Sequence, residues 1–165
     1  MKHWKKLAAI AAVGMICGSS GVADAKATTP ADAERSVAQT AGAHFPVGEP
    51  NERNRAYFSG DSFVAKVTEG SVPVYNVTFY NGARTHWHIH HGTTQTLLAV
   101  SGVGYYQIWG RPAKKLLPGD CVTIPAETKH WHGAAPGQTF QHISISEPKD
   151  GTSNEWLEEV REERK

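Results

Sequence analysis

The chain is short of cysteine, of net charge and of long apolar runs, and each shortage excludes something. Its two cysteines, Cys17 and Cys121, cannot build the disulfide framework of a small secreted scaffold. Seventeen basic against sixteen acidic side chains leave a formal charge of +1, which fits neither a polyanion binder nor a disordered acidic chain. The apolar run Leu7 to Cys17 falls well short of the roughly 20 residues that cross a bilayer. A length of 165 residues holds one ordinary domain and not two.

The apolar run reads as part of an export signal. Lys2, Lys5 and Lys6 precede it, Gly18-Ser19-Ser20-Gly21 follows, and Val22-Ala23-Asp24-Ala25 supplies an A-x-A-like cleavage pattern. Residues 1–25 are expected to be a signal peptide cleaved after Ala25, giving a periplasmic or secreted product with no membrane anchor. Ile16 stands where a lipoprotein signal has a small residue, so lipid attachment at Cys17 is not expected. Cleavage removes three lysines and one aspartate, leaving 14 basic and 15 acidic residues and a charge of −1. That disfavours nucleic acid as a partner still further. Cys121 becomes the sole thiol and reads as a small buried strand residue.

What the sequence has in plenty is glycine (sixteen), proline (nine) and histidine (nine). Residues 26–55, rich in Ala, Thr, Pro, Asn and charge, read as a flexible arm. From Tyr57 to Glu147 short alternating runs lie between Gly, Pro and Asn turns, the pattern of an all-β sandwich or barrel spanning about residues 56–150. In Val74 to Tyr80 alternation puts Tyr75, Val77 and Phe79 on one face, and Asn81-Gly82 closes the run as a turn. Within 151–165, Ser153 or Asn154 is placed to cap a short C-terminal helix carrying Trp156, Leu157 and Val160 as its apolar stripe.

Seven of the histidines fall in three places: His86, His88, His90 and His91; His130 and His132; and His142. Residues two apart on a strand share a face, so His88 and His90 point together while Trp87 and Ile89 pack behind them. His130 and His132 repeat the geometry around Trp131. His86 reads as a rim residue and His91 as a loop residue. Two His-x-His pairs on different strands, with Gln95 nearby, could converge three imidazoles and an amide oxygen on one divalent metal.

Gly82, His88, His90, Gln95 and Gly102, with five, one, four and six residues between them, resemble the first motif of the cupin superfamily, Gln95 standing where Glu is usual. Gly119, Pro125, Glu127 and His130 resemble the second. The resemblance implies a cupin jelly-roll β-barrel, a double-stranded β-helix, over roughly Val74 to Ser146. Gly82-Ala83-Arg84-Thr85, Trp87-His88, Gln95-Thr96-Leu97 and Lys129 to Ala134 look narrower still. They are similar to small bacterial cupins that include manganese-dependent hydroxynitrile lyases of the mandelonitrile type, and to cupins associated with carboxymuconolactone decarboxylase. That likeness implies His88, His90, Gln95 and His130 as metal ligands, His132 as a further histidine near the metal, and His142 as a handler of the cyanide proton. The chain departs by one residue inserted between His90 and Gln95 and by His91 where Pro is common, which reshapes one rim of the pocket.

The residue types suit such chemistry. Neutral imidazoles and an amide leave a divalent ion nearly its full +2 charge, where a carboxylate would cancel one unit. Proton transfer then falls to histidines outside the ligand set, His132 and His142, whose imidazoles titrate near about 6.5 before perturbation. One divalent transition metal is expected, Mn(II) ahead of Fe(II) or Zn(II), and a small organic molecule as substrate. A lyase-type enzyme leads; a metal-dependent dioxygenase and a non-catalytic metal- or ligand-binding barrel are the alternatives, and arm and edge strands suit a homodimer. The leader is tested by intact mass: the exported protein should begin at Lys26, and a product retaining residues 1–25 or carrying lipid would refute the assignment.

Overall fold

Alternating side chains between Gly and Pro turns do produce short antiparallel strands, thirteen among residues 28–161, the part of the chain that this computed structural model describes. The expected leader, residues 1–25, lies outside the described residues. In chain order the strands begin with β1 (Glu49–Pro50), β2 (Phe58–Ser59), β3 (Ser62–Lys66), β4 (Val74–Phe79), β5 (Arg84–Thr85) and β6 (His88–His91). They continue with β7 (Gln95–Gly102), β8 (Gly104–Ile108), β9 (Lys114–Leu116), β10 (Cys121–Ile124), β11 (His130–Ala134), β12 (Phe140–Ile145) and β13 (Ser153–Trp156).

Two sheets face each other. One runs β1-β3-β4-β12-β7-β10; the other runs β13-β6-β11-β5-β2, with β8 on the far side of β11 and β9 beyond it. This is the all-β barrel expected from the strand rhythm, in the jelly-roll form that the cupin resemblance implied. The Asn81-Gly82 turn that ends β4 has positive φ at both residues, 46° and 87°, the backbone of a tight reversal that Asn and Gly tolerate. Gly102, at φ +74°, lets the chain pass so close to β12 that a Cβ there would lie 2.0 Å from the Thr139 carbonyl oxygen.

Inside the barrel, Val77, Phe79, Ala83, Ala99, Leu116, Ala134 and Phe140 form a buried apolar cluster at one end. Phe79 is its hub. Its ring lies 5.8 Å from Phe58, 6.4 Å from Phe140, 5.6 Å from His132 and 5.5 Å from His142. The apolar floor and the histidines above it are thus one packed unit.

Residues 28–55 differ from the expected arm. Pro30–Val37 form a helix, α1, whose N-cap is Thr29: the Thr29 side chain accepts from the Asp32 backbone N–H, and Asp32 accepts from the Thr29 N–H. Ala33 and Val37, one turn apart, pack with Val47, Phe63 and Tyr80 against the outer face of the first sheet. Buried Gln141 then stitches the segment down, accepting from the Phe45 N–H at 3.1 Å and donating to the Phe45 carbonyl at 2.9 Å.

The expected C-terminal helix over 151–165 is also corrected, since residues 151–161 contain a strand and no helix. β13 pairs antiparallel with β6, with Asn154 opposite His90 and Trp156 opposite His88. The unsatisfied edge of β6 offers backbone partners to the segment, and Trp156 stacks on Tyr57 at 4.9 Å, gains that a solvated three-turn helix could not match. Cys121 is exposed rather than buried, because β10 is an edge strand and the first residue of that strand faces out. His91 ends β6 rather than lying in a loop. Phe79→Ala should destabilise the protein by about 3–5 kcal/mol in urea unfolding, the cost of an emptied aromatic site at the junction of both sheets; a loss below about 1 kcal/mol would show that the hub is not there.

Candidate metal centre

Strand parity brings the histidines together as expected. His88 and His90 point inward from β6, His130 and His132 from the neighbouring β11, with His130 directly opposite His88 across the ladder. One ring nitrogen from each of His88, His90 and His130 lies within 4.8 Å of the other two, so these three residues could hold a metal ion. All three are buried. The ring centroids of His88 and His130 stand 4.1 Å apart.

Each of these imidazoles is turned by a partner at Nδ1. His88 Nδ1 lies 3.0 Å from the His86 carbonyl, His130 Nδ1 2.8 Å from the Thr128 carbonyl, and His90 Nδ1 2.6 Å from Asn154 Oδ1. A carbonyl oxygen can only accept, so the proton of each neutral ring sits on Nδ1 and the lone pair on Nε2. Burial fixes that charge state. Desolvation lowers the His88 pKa well below its ordinary value, lowers that of His90, and pushes that of His130 down to about 4.

Two features then call for a cation. His90 Nε2 is buried with no hydrogen-bond partner. Gln95, the first residue of β7, donates its amide N–H to Ser144 Oγ at 3.1 Å, and this turns its Oε1 to within 3.0 Å of His130 Nε2. Both of those atoms carry lone pairs, and two acceptors in contact repel unless something positive lies between them. Two ligands about 2.1 Å from one ion and at right angles to each other stand about 3 Å apart. The donor set therefore fits a divalent transition metal, with three imidazole nitrogens and one amide oxygen and no carboxylate among them.

His132 and His142 form a second pair behind the first group. His142 Nε2 lies 3.1 Å from His132 Nδ1, and the outer nitrogens, His132 Nε2 and His142 Nδ1, are buried without partners. Desolvation puts the His132 pKa well below its ordinary value, with neighbouring His142 and His88 adding to the effect, and pushes His142 to about 4. A proton taken up by either ring can be shared with the other through this contact, so that neither carries the positive charge alone. His132 lines a cavity of about 820 Å³ that also meets His88, His90 and Gln95; Phe58, Val77 and Trp156 supply its apolar wall.

Sequence reasoning missed Asn154, Trp156 and Ser144. Ser144 had a signal, since it lies two residues beyond His142 on the same strand face. Trp87 and Trp131 are buried supports, the Trp131 ring N–H donating to Gln107 Oε1 at 2.7 Å.

His88→Ala or His130→Ala should abolish metal retention in mature protein made without a histidine tag, measured by elemental analysis, while exposed His44→Ala should leave it unchanged. Full occupancy in the double variant would refute the ligand assignment. A second outcome follows from the depressed pKa values. Unfolded histidines bind protons from about pH 6.5 down, whereas His130 and His142 resist until about 4. The unfolded chain is thus the more protonated below about pH 6.5, and stability falls with pH through that window. The urea midpoint of metal-free protein should hold above about pH 7 and decline steadily toward pH 4; a midpoint independent of pH there would contradict the buried neutral rings.

Comparison with known proteins agrees with this fold. The Cupin domain family profile matches residues 75–144. Over 88 residues, 53% of this chain, the sequence is 43% identical to a protein of Granulicella tundricola described as (R)-mandelonitrile lyase; the match spans 66% of that protein, just under two thirds of its length. A cupin-like protein of Thermotoga maritima, known from its crystal structure, superposes with a TM-score of 0.66 at 38% identity, covering 73% of this chain and 92% of that one. A cupin-2 domain of Rhodospirillum rubrum superposes at 0.53 with 17% identity, covering 68% and 78%, a likeness of fold alone. With the barrel, the two histidine-bearing strands and these matches together, the chain belongs to the cupin family.

Proposed function

We propose that the protein is an exported, metal-dependent lyase that cleaves a carbon–carbon bond in a small α-hydroxynitrile. In this reading His88, His90, Gln95 and His130 hold Mn(II), or else Fe(II) or Zn(II). The observation that carries it is the His132–His142 pair, a spare hydrogen-bonded couple of neutral imidazoles buried beside the ligand group. Storage of a metal or a ligand needs no such couple, whereas moving a proton does. The similarity to the G. tundricola protein supports the reaction class.

When bound, the ion would supply a Lewis acid close to its full +2 charge, because every proposed ligand is neutral. His132 supplies the base. Its Nδ1 is engaged with His142, which leaves Nε2 to accept the substrate hydroxyl proton. As that proton leaves, the carbonyl forms and the C–CN electron pair departs as cyanide, which takes the proton back as hydrogen cyanide. Nothing is oxidised or reduced. While His132 holds the proton, the Nδ1–H to His142 Nε2 bond spreads the positive charge over two rings. The His132 backbone N–H donates to Thr85 Oγ at 3.2 Å, which keeps the base in register with the cavity. Phe58, Val77 and Trp156 give the organic part of the substrate an apolar seat and exclude water.

With racemic mandelonitrile as probe, His142→Ala should keep metal content and fold while slowing release of aldehyde and cyanide by about 10²- to 10⁴-fold. Gln95→Glu should keep or strengthen metal binding and still slow the reaction, since its carboxylate cancels one unit of charge beside the departing anion. Unchanged turnover in both variants, or oxygen consumption by iron-loaded wild type in place of cyanide release, would overturn the reading.

A further inference from the structure

The family profile ends at residue 144, yet the ring of His90 is held by a residue beyond it. β13 lies against the outer edge of β6 with Asn154 directly opposite His90. Directly opposed residues of an antiparallel pair project from the same face, with Cβ atoms about 5 Å apart, so the two side chains must meet. They do, Asn154 Oδ1 accepting from His90 Nδ1 at 2.6 Å.

The other two imidazoles are turned by backbone carbonyls of residues close by in sequence, His86 for His88 and Thr128 for His130. Those partners come with the local strand geometry, and no side-chain substitution removes them. His90 has no such partner at Nδ1. Its orientation depends on a side chain that arrives 64 residues later in the chain.

We propose that Asn154 is a positioning residue for the metal centre: it sets the tautomer and ring orientation of His90, so that the C-terminal strand completes a site whose ligands all lie earlier in the sequence. The inference rests on the metal-site reading above. The neighbouring contacts hold the strand in place for this task. Trp156, opposite His88, packs on that ring at 4.9 Å and stacks on Tyr57 at the same spacing. Beyond it the Leu157 N–H donates to the Trp87 carbonyl at 2.8 Å, and the Trp87 N–H donates to the Glu158 carbonyl at 3.0 Å. Glu158 pairs with Lys129, and Glu159 accepts from Ser59 Oγ at 2.6 Å. A strand anchored through the residues that follow Asn154 leaves it little freedom to move away from His90.

The test uses full mature chain stripped of metal. Nitrogen-15 imidazole spectra of wild type should show His90 protonated at Nδ1 and bare at Nε2; the opposite tautomer would overturn the proposal before any metal is added. Asn154→Leu, close in volume but unable to accept, should let His90 populate both tautomers. The same variant should bind Mn(II) about 10- to 100-fold more weakly by calorimetric titration. Asn154→Asp, which still accepts from Nδ1, should restore both the tautomer and the affinity, a rescue that mere packing would not produce. If Asn154→Leu binds Mn(II) as tightly as wild type, the positioning role is wrong and the metal site stands. If wild type itself binds no metal, the site reading fails, and the tautomer spectra still decide what Asn154 does to His90. Should Asn154→Leu fail to fold, the wild-type tautomer and the Asn154→Asp affinity carry the decision.

Discussion

Lone pairs that converge among buried side chains are the constraint on which this molecule is built. Three Nε2 atoms and an amide oxygen converge from two sheets because each ring is turned by a carbonyl oxygen at Nδ1 and the amide is turned by Ser144. Burial then denies the rings the simplest escape, which is to pick up a proton. Without a cation the arrangement is repulsive; a bound cation would turn it into a chelate. The barrel supplies the rigidity that holds groups in a geometry they would otherwise leave, through the ladder between β6 and β11 on one side and the Phe79 cluster beneath.

Construction of the site divides along the chain. The stretch that matches the family carries the proposed ligands and the proposed base pair. Much of the wall comes from segments outside it, with Phe58 before and Asn154 and Trp156 after. The Tyr57–Trp156 stack joins those two flanking segments to each other. An aromatic stack contributes about 0.5–1.5 kcal/mol beyond the area it buries, and the Ser59–Glu159 hydrogen bond adds to it. Under the proposed function, chemistry and selectivity would be separable: substitutions in the flanks would change which molecule fits without touching a proposed ligand, Asn154 excepted.

How much of this could be read from the sequence follows from the range of each signal. The His-x-His pairs were legible because strand parity is local and histidine is scarce elsewhere. Gln95 emerged from motif spacing, since a lone glutamine at the start of a strand carries no local mark. α1 was hidden by composition, although Thr29-Pro30 with Asp32 three residues after the cap is a helix start that could have been heeded. β13 was not legible. Ser153 and Asn154 are good helix caps, the strand is four residues long, and what makes it a strand is the open edge of β6, which no local pattern reveals. The exposure of Cys121 is likewise a property of its edge position and not of its neighbours in sequence.

The placement of carboxylates follows the same logic. Inside, the partners of the three-histidine group are two backbone carbonyls and two amide side chains, none of them charged. On the outward face of the same strand, His91 is gripped by Glu127 at 2.5 Å and Glu155 at 2.9 Å. Glu127 also accepts from the Gly92 N–H and sends its own N–H to the His90 carbonyl, holding a left-handed backbone at φ 60°. Its hydrogen bond to His91, with that of Glu155, raises the imidazole's pKa, the reverse of what burial does to His90 one residue away. Adjacent histidines are thus pushed in opposite directions because the strand sends one to water and acids and the other to a neutral interior. Two unit charges about 4 Å apart interact at about 4 kcal/mol under partial solvent screening, and a divalent ion doubles that, so a carboxylate on the inner side would take much of a bound ion's pull on an anion. The clamp on His91 fastens the end of β6 with charge kept outside, and the interior is left to neutral donors that would let a bound cation act at nearly full strength.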